Sequence, residues 1–154
     1  MDVPELLKIG LPLAIGWFIV HRLSAARDID KARRDIVAKT ADELVVNATE
    51  IFITAKRYHA SERHLEDEQR LKMDLQDMSI RVHQLIDMVD EPSKLRLCAT
   101  SIAELRRAIT GYHFEDKHVE ALDAEVMQIA EIADAYLRLK RALFALKISQ
   151  YPKR

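Results

Sequence analysis

Glu115 and His118 have the residue types and spacing that can bind a metal ion. Three residues apart on a helix, a carboxylate and an imidazole share one face, as in the Glu-x-x-His pairs of carboxylate-bridged dimetal bundles. Such a site needs two of these pairs and two further inward glutamates, whereas this sequence has one pair, at a predicted helix start. We therefore interpret Glu115 and His118 as solvent-exposed polar side chains of a loop. A metalloenzyme is the remote alternative.

The other histidine spacings do not suit a helical zinc site. His59 and His64 are five residues apart, as are His113 and His118. A zinc pair on one helix needs a separation of four, so that both rings face the same side. These histidines are predicted to be surface side chains.

Cys98 is the single cysteine and lies on an apolar stripe, which favours a buried structural thiol over a nucleophile. The sequence has no phosphate-binding glycine loop, no Gly-x-Ser-x-Gly and no His-Glu-x-x-His. We therefore predict that the chain is not an enzyme and needs no cofactor or small-molecule substrate. Its net charge of −1 does not favour nucleic-acid binding either.

An uninterrupted apolar run occupies residues 9–20. A helix needs about 20 residues to cross a bilayer, which this segment reaches only when it is extended to residues 3–23. The long side chains of Lys8 and Arg22, near the two ends, can extend their charges to the membrane surface. The sequence therefore predicts a transmembrane anchor over residues 1–23. The anchoring side chains are Ile9, Leu11, Leu13, Ile15, Trp17, Phe18, Ile19 and Val20.

The charges around the apolar run predict its orientation, because residues 22–39 contain six lysines or arginines against three aspartates, whereas the region before the run has one lysine. The positive-inside rule then places the N-terminus outside a bacterial inner membrane and residues 24–154 in the cytoplasm. The basic residues that would fix this topology or contact lipid headgroups are Arg22, Arg27, Lys31, Arg33 and Arg34.

Two other interpretations of the apolar run compete with the anchor. A cleaved signal peptide with a site at residues 24–26 is disfavoured, because the region before the run is not basic. A hydrophobic helix buried at an oligomer interface stays open, because short apolar runs are often buried in this way.

Residues 24–154 are predicted to form an all-α antiparallel bundle of about four helices, continuous with the membrane helix. Glycine and proline are scarce, and apolar residues recur at helical spacing. The first helix is expected to break near residues 58–61, with Ser61 as the next N-cap. Its apolar stripe comprises Ile29, Ile36, Leu44, Ile51 and Tyr58.

The second predicted helix has the most regular stripe, with alternating spacings of three and four. It is expected to stop at residues 90–93, where Pro92 suits the first turn of a third helix. Gly111 is the expected cap of that helix, and a fourth helix is predicted over residues 122–149. The packing stripe of the second helix comprises Leu71, Leu75, Met78, Val82, Leu85 and Val89.

An up-and-down bundle would return the basic C-terminal end toward the bilayer. Basic and apolar residues interleave there, which suits an anionic leaflet. The alternative is that cations stabilise a helix C-terminus and the apolar residues belong to the core. The predicted membrane-contacting tail comprises Lys140, Arg141, Phe144, Lys147 and Tyr151.

The first part of the sequence resembles the start of small uncharacterised bacterial proteins that have one N-terminal membrane helix and a helical cytoplasmic portion. The residues that carry the resemblance are Gly16-Trp17, His21, Arg27-Asp28 and Arg33-Arg34. The resemblance covers about the first 40 residues and implies a location but no catalytic residue. Some small membrane-anchored helical proteins of bacteria act in phage defence, and by analogy this is one role expected of the chain.

These observations predict an inner-membrane protein whose cytoplasmic bundle binds itself or a partner protein, as a scaffold or effector. One alternative is a pore-type effector, to which Gly10, Pro12 and Ala14 in the anchor point. Another is a soluble helical assembly that buries the N-terminal helix at an oligomer interface.

Overall fold

The computed structural model describes residues 3–60, 64–111, 114 and 127–151; within the first helix, side chains are described at 17, 18 and from 20 onward. Four helices account for the regular structure of these residues. They are α1 (Val3–Ala60), α2 (Leu65–Gln84), α3 (Pro92–Thr110) and α4 (Met127–Ser149). The predicted all-α class is confirmed.

The helices pack as an antiparallel four-helix bundle, in which each helix neighbours the one before it and α4 closes against α1. Three contacts define the register of α1 and α4. Lys147 Nζ lies 2.7 Å from the carboxylate of Asp42, Tyr136 Oη lies 3.1 Å from Thr49 Oγ1, and Gln128 lies beside His59. From the first of these contacts to the third, the residue numbers increase along α1 and decrease along α4. The two helices therefore run in opposite directions.

The core lies between the four helices and is built from the apolar stripe of each one. All six members of the stripe from Leu71 to Val89 are buried, although the last two lie beyond the end of α2. The largest completely buried side chains include Leu44, Ile51 and Leu143. Burying each such side chain contributes about 1.5–3 kcal/mol, which makes this core the main source of stability.

The helix ends differ in detail from the predictions. α2 ends at Gln84, several residues before the expected stop, and its last turn tightens through bonds such as Met88 N to Leu85 O at 2.9 Å. Pro92 opens α3 as expected. His64, and not Ser61, precedes α2 as its N-cap; Ser61 itself and the predicted start of the fourth helix lie outside the described residues.

Gly111 follows α3, but with φ −70° and ψ 168°. This is an extended conformation and not the left-handed one in which glycine usually caps a helix. Glycine is favoured here for another reason, which is that a neighbouring backbone atom lies too close to leave room for a side chain. A Cβ atom at this position would lie 2.9 Å from the carbonyl oxygen of Arg107.

The described side chains of α1 that pack in the bundle lie in the second part of this helix. Burial begins at Val37, whereas the predicted stripe members Ile29 and Ile36 are exposed. We call residues 17–36 the stalk, because this stretch of helix runs beyond the packed core. Within the described part of the chain, no helix is both long enough and apolar enough to cross a membrane.

Candidate functional site

The stalk meets the bundle at Arg33, which anchors its base to the loop between α2 and α3. Arg33 Nε donates to the carbonyl of Met88 at 2.8 Å, and its Nη2 donates to the carbonyl of Asp87 at 2.6 Å. Asp90 lies 3.7 Å from Nη1 of the same guanidinium. Arg33 is one of the predicted topogenic residues, and in the structure its guanidinium positions the stalk on the bundle.

The outer end of the stalk carries aromatic residues paired with cationic or titratable side chains one turn further on. Trp17 and Phe18 are exposed. The ring of Trp17 stacks on His21 with centroids 5.3 Å apart, and the Arg22 guanidinium lies 5.3 Å from the ring centre of Phe18. Aromatic rings beside cations are typical of side chains that bridge apolar and aqueous surroundings.

Of the eight predicted anchoring side chains, three are described, and each is exposed: Trp17, Phe18 and Val20. The side chains of the other five lie outside the described residues, although the helical backbone of α1 includes them. They are Ile9, Leu11, Leu13, Ile15 and Ile19.

The remaining basic residues of the stalk are directed away from the core. Arg27 and Lys31 are exposed, and Arg34 is half-buried, with its Nε donating to the carbonyl of Asp30 in the same helix at 3.1 Å. Their spacing of four and three places Arg27, Lys31 and Arg34 on one helical face. Asp30 lies on the same face, three residues after Arg27 and four before Arg34, so this face of the stalk carries three cations and one carboxylate.

The predicted C-terminal tail lies at the stalk end of the bundle. Lys147 donates to both carboxylate oxygens of Asp42, and this hydrogen bond raises the pKa of the lysine. Lys140 lies 5.8 Å from the ring centre of Tyr136. The other three, Arg141, Phe144 and Tyr151, are exposed and line a groove of about 880 Å³ beside Asp90 and Glu91.

The position of this tail along α1 bears on its predicted membrane contact. Asp42, the partner of Lys147, is about 33 Å further along the helix than Val20, at a rise of 1.5 Å per residue. A straight α1 therefore separates the tail from the apolar run, and contact of the tail with lipid stays a prediction.

At the opposite end of the bundle, His59 belongs to a buried polar cluster, so the prediction that it lies on the surface is wrong. His59 is 5 % exposed, and its Nε2 lies 3.0 Å from the carbonyl oxygen of Ile109. Gln128 Nε2 donates to the carbonyl of Gly111 at 3.3 Å, so the cluster links α1, α3 and α4. Burial lowers the pKa of His59, although the bond to Ile109 partly opposes this. Its spacing of four from the buried Ala55 was the sequence feature that indicated burial.

Cys98 is completely buried, and burial raises the pKa of its thiol to about 12. The thiol is therefore protonated and inert at neutral pH, because the thiolate is the nucleophilic form. In the described ranges, no group of three or more histidine, cysteine, aspartate or glutamate side chains could hold a metal ion. Glu115, His118 and His113 lie outside those ranges.

By its fold, the protein is an up-and-down four-helix bundle from which one helix extends. Comparison with known proteins found no matching family, no matching curated protein and no matching solved structure.

Proposed function

We propose that this protein is a single-pass bacterial inner-membrane scaffold or effector. In this proposal residues 1–23 anchor it with the N-terminus outside, and the cytoplasmic bundle binds a second copy or a partner protein. The observation that carries the proposal is the exposed stalk, because it leads the apolar run away from the core of the bundle.

The core does not cover Trp17, Phe18 and Val20, which are the described side chains of the run at residues 9–20. Each large apolar side chain left in water forgoes about 1.5–3 kcal/mol of burial free energy, and the run contains eight of them. A total of this size exceeds the stability of many small domains. Burial of the run in lipid or against another protein would recover this free energy.

The side chains at the C-terminal end of the run, and those that follow it, favour lipid as the cover. Trp17 and the Phe18–Arg22 pair stand where a membrane surface would lie. Arg27, Lys31 and Arg34 come next, with Asp30 on the same face, and the net positive charge of this face suits an anionic leaflet. From Val20 to Val37 the helix extends about 25 Å, so the bundle would stand clear of the headgroups.

The test is fractionation of cells that express the full chain, with the membranes washed in high salt and then in carbonate. Retention after both washes is the expected result. Ile15→Asp should release the protein, because it places a charge inside the run. Val46→Asp is the matched control, since Val46 is exposed on the bundle portion of α1. A soluble oligomer of defined size without detergent would replace the anchor with a buried assembly interface.

Orientation has its own test, which uses the inert Cys98. A membrane-impermeant maleimide applied to intact spheroplasts should label Asp2→Cys and spare Ser24→Cys. Lysis should expose the second site, and the opposite pattern would invert the proposed topology.

A further inference from the structure

A groove runs along the bundle between α2 and α3. It consists of two adjoining depressions of about 700 Å³ and about 200 Å³, which share Ser79 and His83 as lining residues. Ser79 on α2 and Ala99 on α3 are small, and this creates the space between the helices. Small residues at such positions allow the backbone of another helix to approach closely.

The floor of the groove is apolar. Leu75 and Val82 from α2 and Ile102 from α3 form its base, and each is buried in the core. Ile80 and Ile86 stand on the α2 side and are about half exposed. The apolar surface thus continues from the core to the edge of the groove, where a bound helix would cover it.

The charged residues that line the groove are all basic. They are Lys72, Arg96 and Arg106, with His83 between them, and no carboxylate is among the lining residues of the described chain. Glu68 lies 3.0 Å from Lys72 and offsets its charge. Arg96 and Arg106 are exposed, and neither forms an ion pair with a described carboxylate.

The depression on the other side of α3 has a different charge pattern. There Glu104 and Asp134 face Arg138 at 3.2 Å and 2.9 Å, so opposite charges are neutralised within the chain. In the groove between α2 and α3, by contrast, Arg96 and Arg106 face no carboxylate of the described residues and lie beside an apolar floor. Electrostatic complementarity then selects a ligand that carries carboxylates next to an apolar face.

We propose that this groove binds an amphipathic helix of a partner protein, with carboxylates flanking its apolar face. The inference rests on the proposed partner-binding function and identifies the surface and partner class. From Arg96 to Thr110, α3 extends about 21 Å, which accommodates about four turns of a docked helix. Arg96 and Arg106 are about 15 Å apart along α3, so carboxylates ten or eleven residues apart would face both.

An anionic bilayer is a poorer ligand for this groove. Arg106 lies one turn from Ile109, whose carbonyl contacts His59 at the end of the bundle remote from the stalk. His59 is about 58 Å along α1 from Val20. With α1 upright in a membrane, the groove extends away from the headgroups.

The test uses the full chain in detergent micelles and two fluorescent peptides of about 15 residues. Both carry the same leucine face, and one has glutamates where the other has lysines. Fluorescence anisotropy should show the glutamate peptide binding at least about tenfold more tightly than the lysine peptide. The variant R96E/R106E should lose that preference or reverse it, because it inverts the charge of the groove.

The matched control is K56E/R107E, which makes the same charge change at exposed sites on α1 and α3 that do not line this groove. It should bind the glutamate peptide as the unaltered protein does. Equal binding of the two peptides, or equal loss in both variants, would overturn the proposal. A bimane label at Ser79→Cys should shift its emission when the glutamate peptide binds, and no shift would also count against the groove.

Two further outcomes would assign the groove to another ligand. Displacement of the peptide by phosphatidylglycerol added as mixed micelles would identify it as a lipid site. Loss of a dimer in R96E/R106E by light scattering, without peptide, would identify the occupant as a second copy. Because these assays are performed in detergent, failure of the anchor in carbonate extraction leaves their result unchanged, and the two proposals fail separately.

Discussion

Three isoleucine-to-alanine variants along α1 separate the bundle from the stalk. Ile51 is completely buried, whereas Ile53, two residues later, is 58 % exposed and Ile29 in the stalk is 67 % exposed. Removing three methylene-sized groups from Ile51 costs about 2.4 kcal/mol in transfer, and the remaining cavity raises the loss to about 4 kcal/mol. At Ile53 and Ile29 the change should stay within about 0.5 kcal/mol, because little apolar surface is lost and alanine favours helix.

Urea unfolding of the full chain in mild detergent, followed by circular dichroism at 222 nm, measures these differences. With an unchanged slope, the midpoint should fall markedly for Ile51→Ala and remain nearly constant for the other two variants. If Ile29→Ala loses as much stability as Ile51→Ala, the stalk is packed against protein in solution. That result would refute the reasoning that treats residues 17–36 as an exposed helix.

Three other predictions address the cluster at His59, the stalk base and the thiol. Burial lowers the pKa of His59 below its ordinary 6.5, so the unfolded chain binds the proton first and stability should fall as pH drops below about 6.5. The urea midpoints at pH 7.5 and pH 5.5 should therefore lie closer together in His59→Gln than in the unaltered protein. An unchanged pH dependence in this variant would contradict the prediction. Arg33→Ala should cost about 1 kcal/mol and speed amide exchange in residues 85–91, whereas Arg34→Ala, whose guanidinium contacts only its own helix, should leave that exchange unchanged. Cys98 should resist a thiol reagent at pH 8 in the folded protein and react in urea, since its pKa is about 12; prompt labelling of the folded chain would show that the thiol is accessible.

The sequence by itself determined the elements of this fold. Apolar spacing predicted four helices, and the stripe from Leu71 to Val89 predicted which face of the second one is buried. Pro92 marked the start of α3, because proline lacks only an N–H that the first helical turn leaves unpaired. These features depend on neighbours within a few residues, so they can be derived from the chain alone.

Only the tertiary structure decided where packing begins along α1. The apolar stripe of that helix continues from Ile29 to Tyr58, yet it is buried only from Val37 onward. The reason is length: α4 has 23 residues against 58 in α1, and its last turn lies beside Asp42. Val37 is still buried just beyond that level, and the loop between α2 and α3 reaches Arg33, but no described helix covers α1 further toward its N-terminus.

The same holds for the side chains whose partners are distant in sequence. Arg33 and Met88 are 55 residues apart, and His59 and Gln128 are 69 apart. The groove between α2 and α3 likewise combines a serine and an alanine from different helices, and neither residue predicts it alone. Local periodicity determined the helices. The assembly of helices of unequal length decided which of their residues remained exposed to solvent.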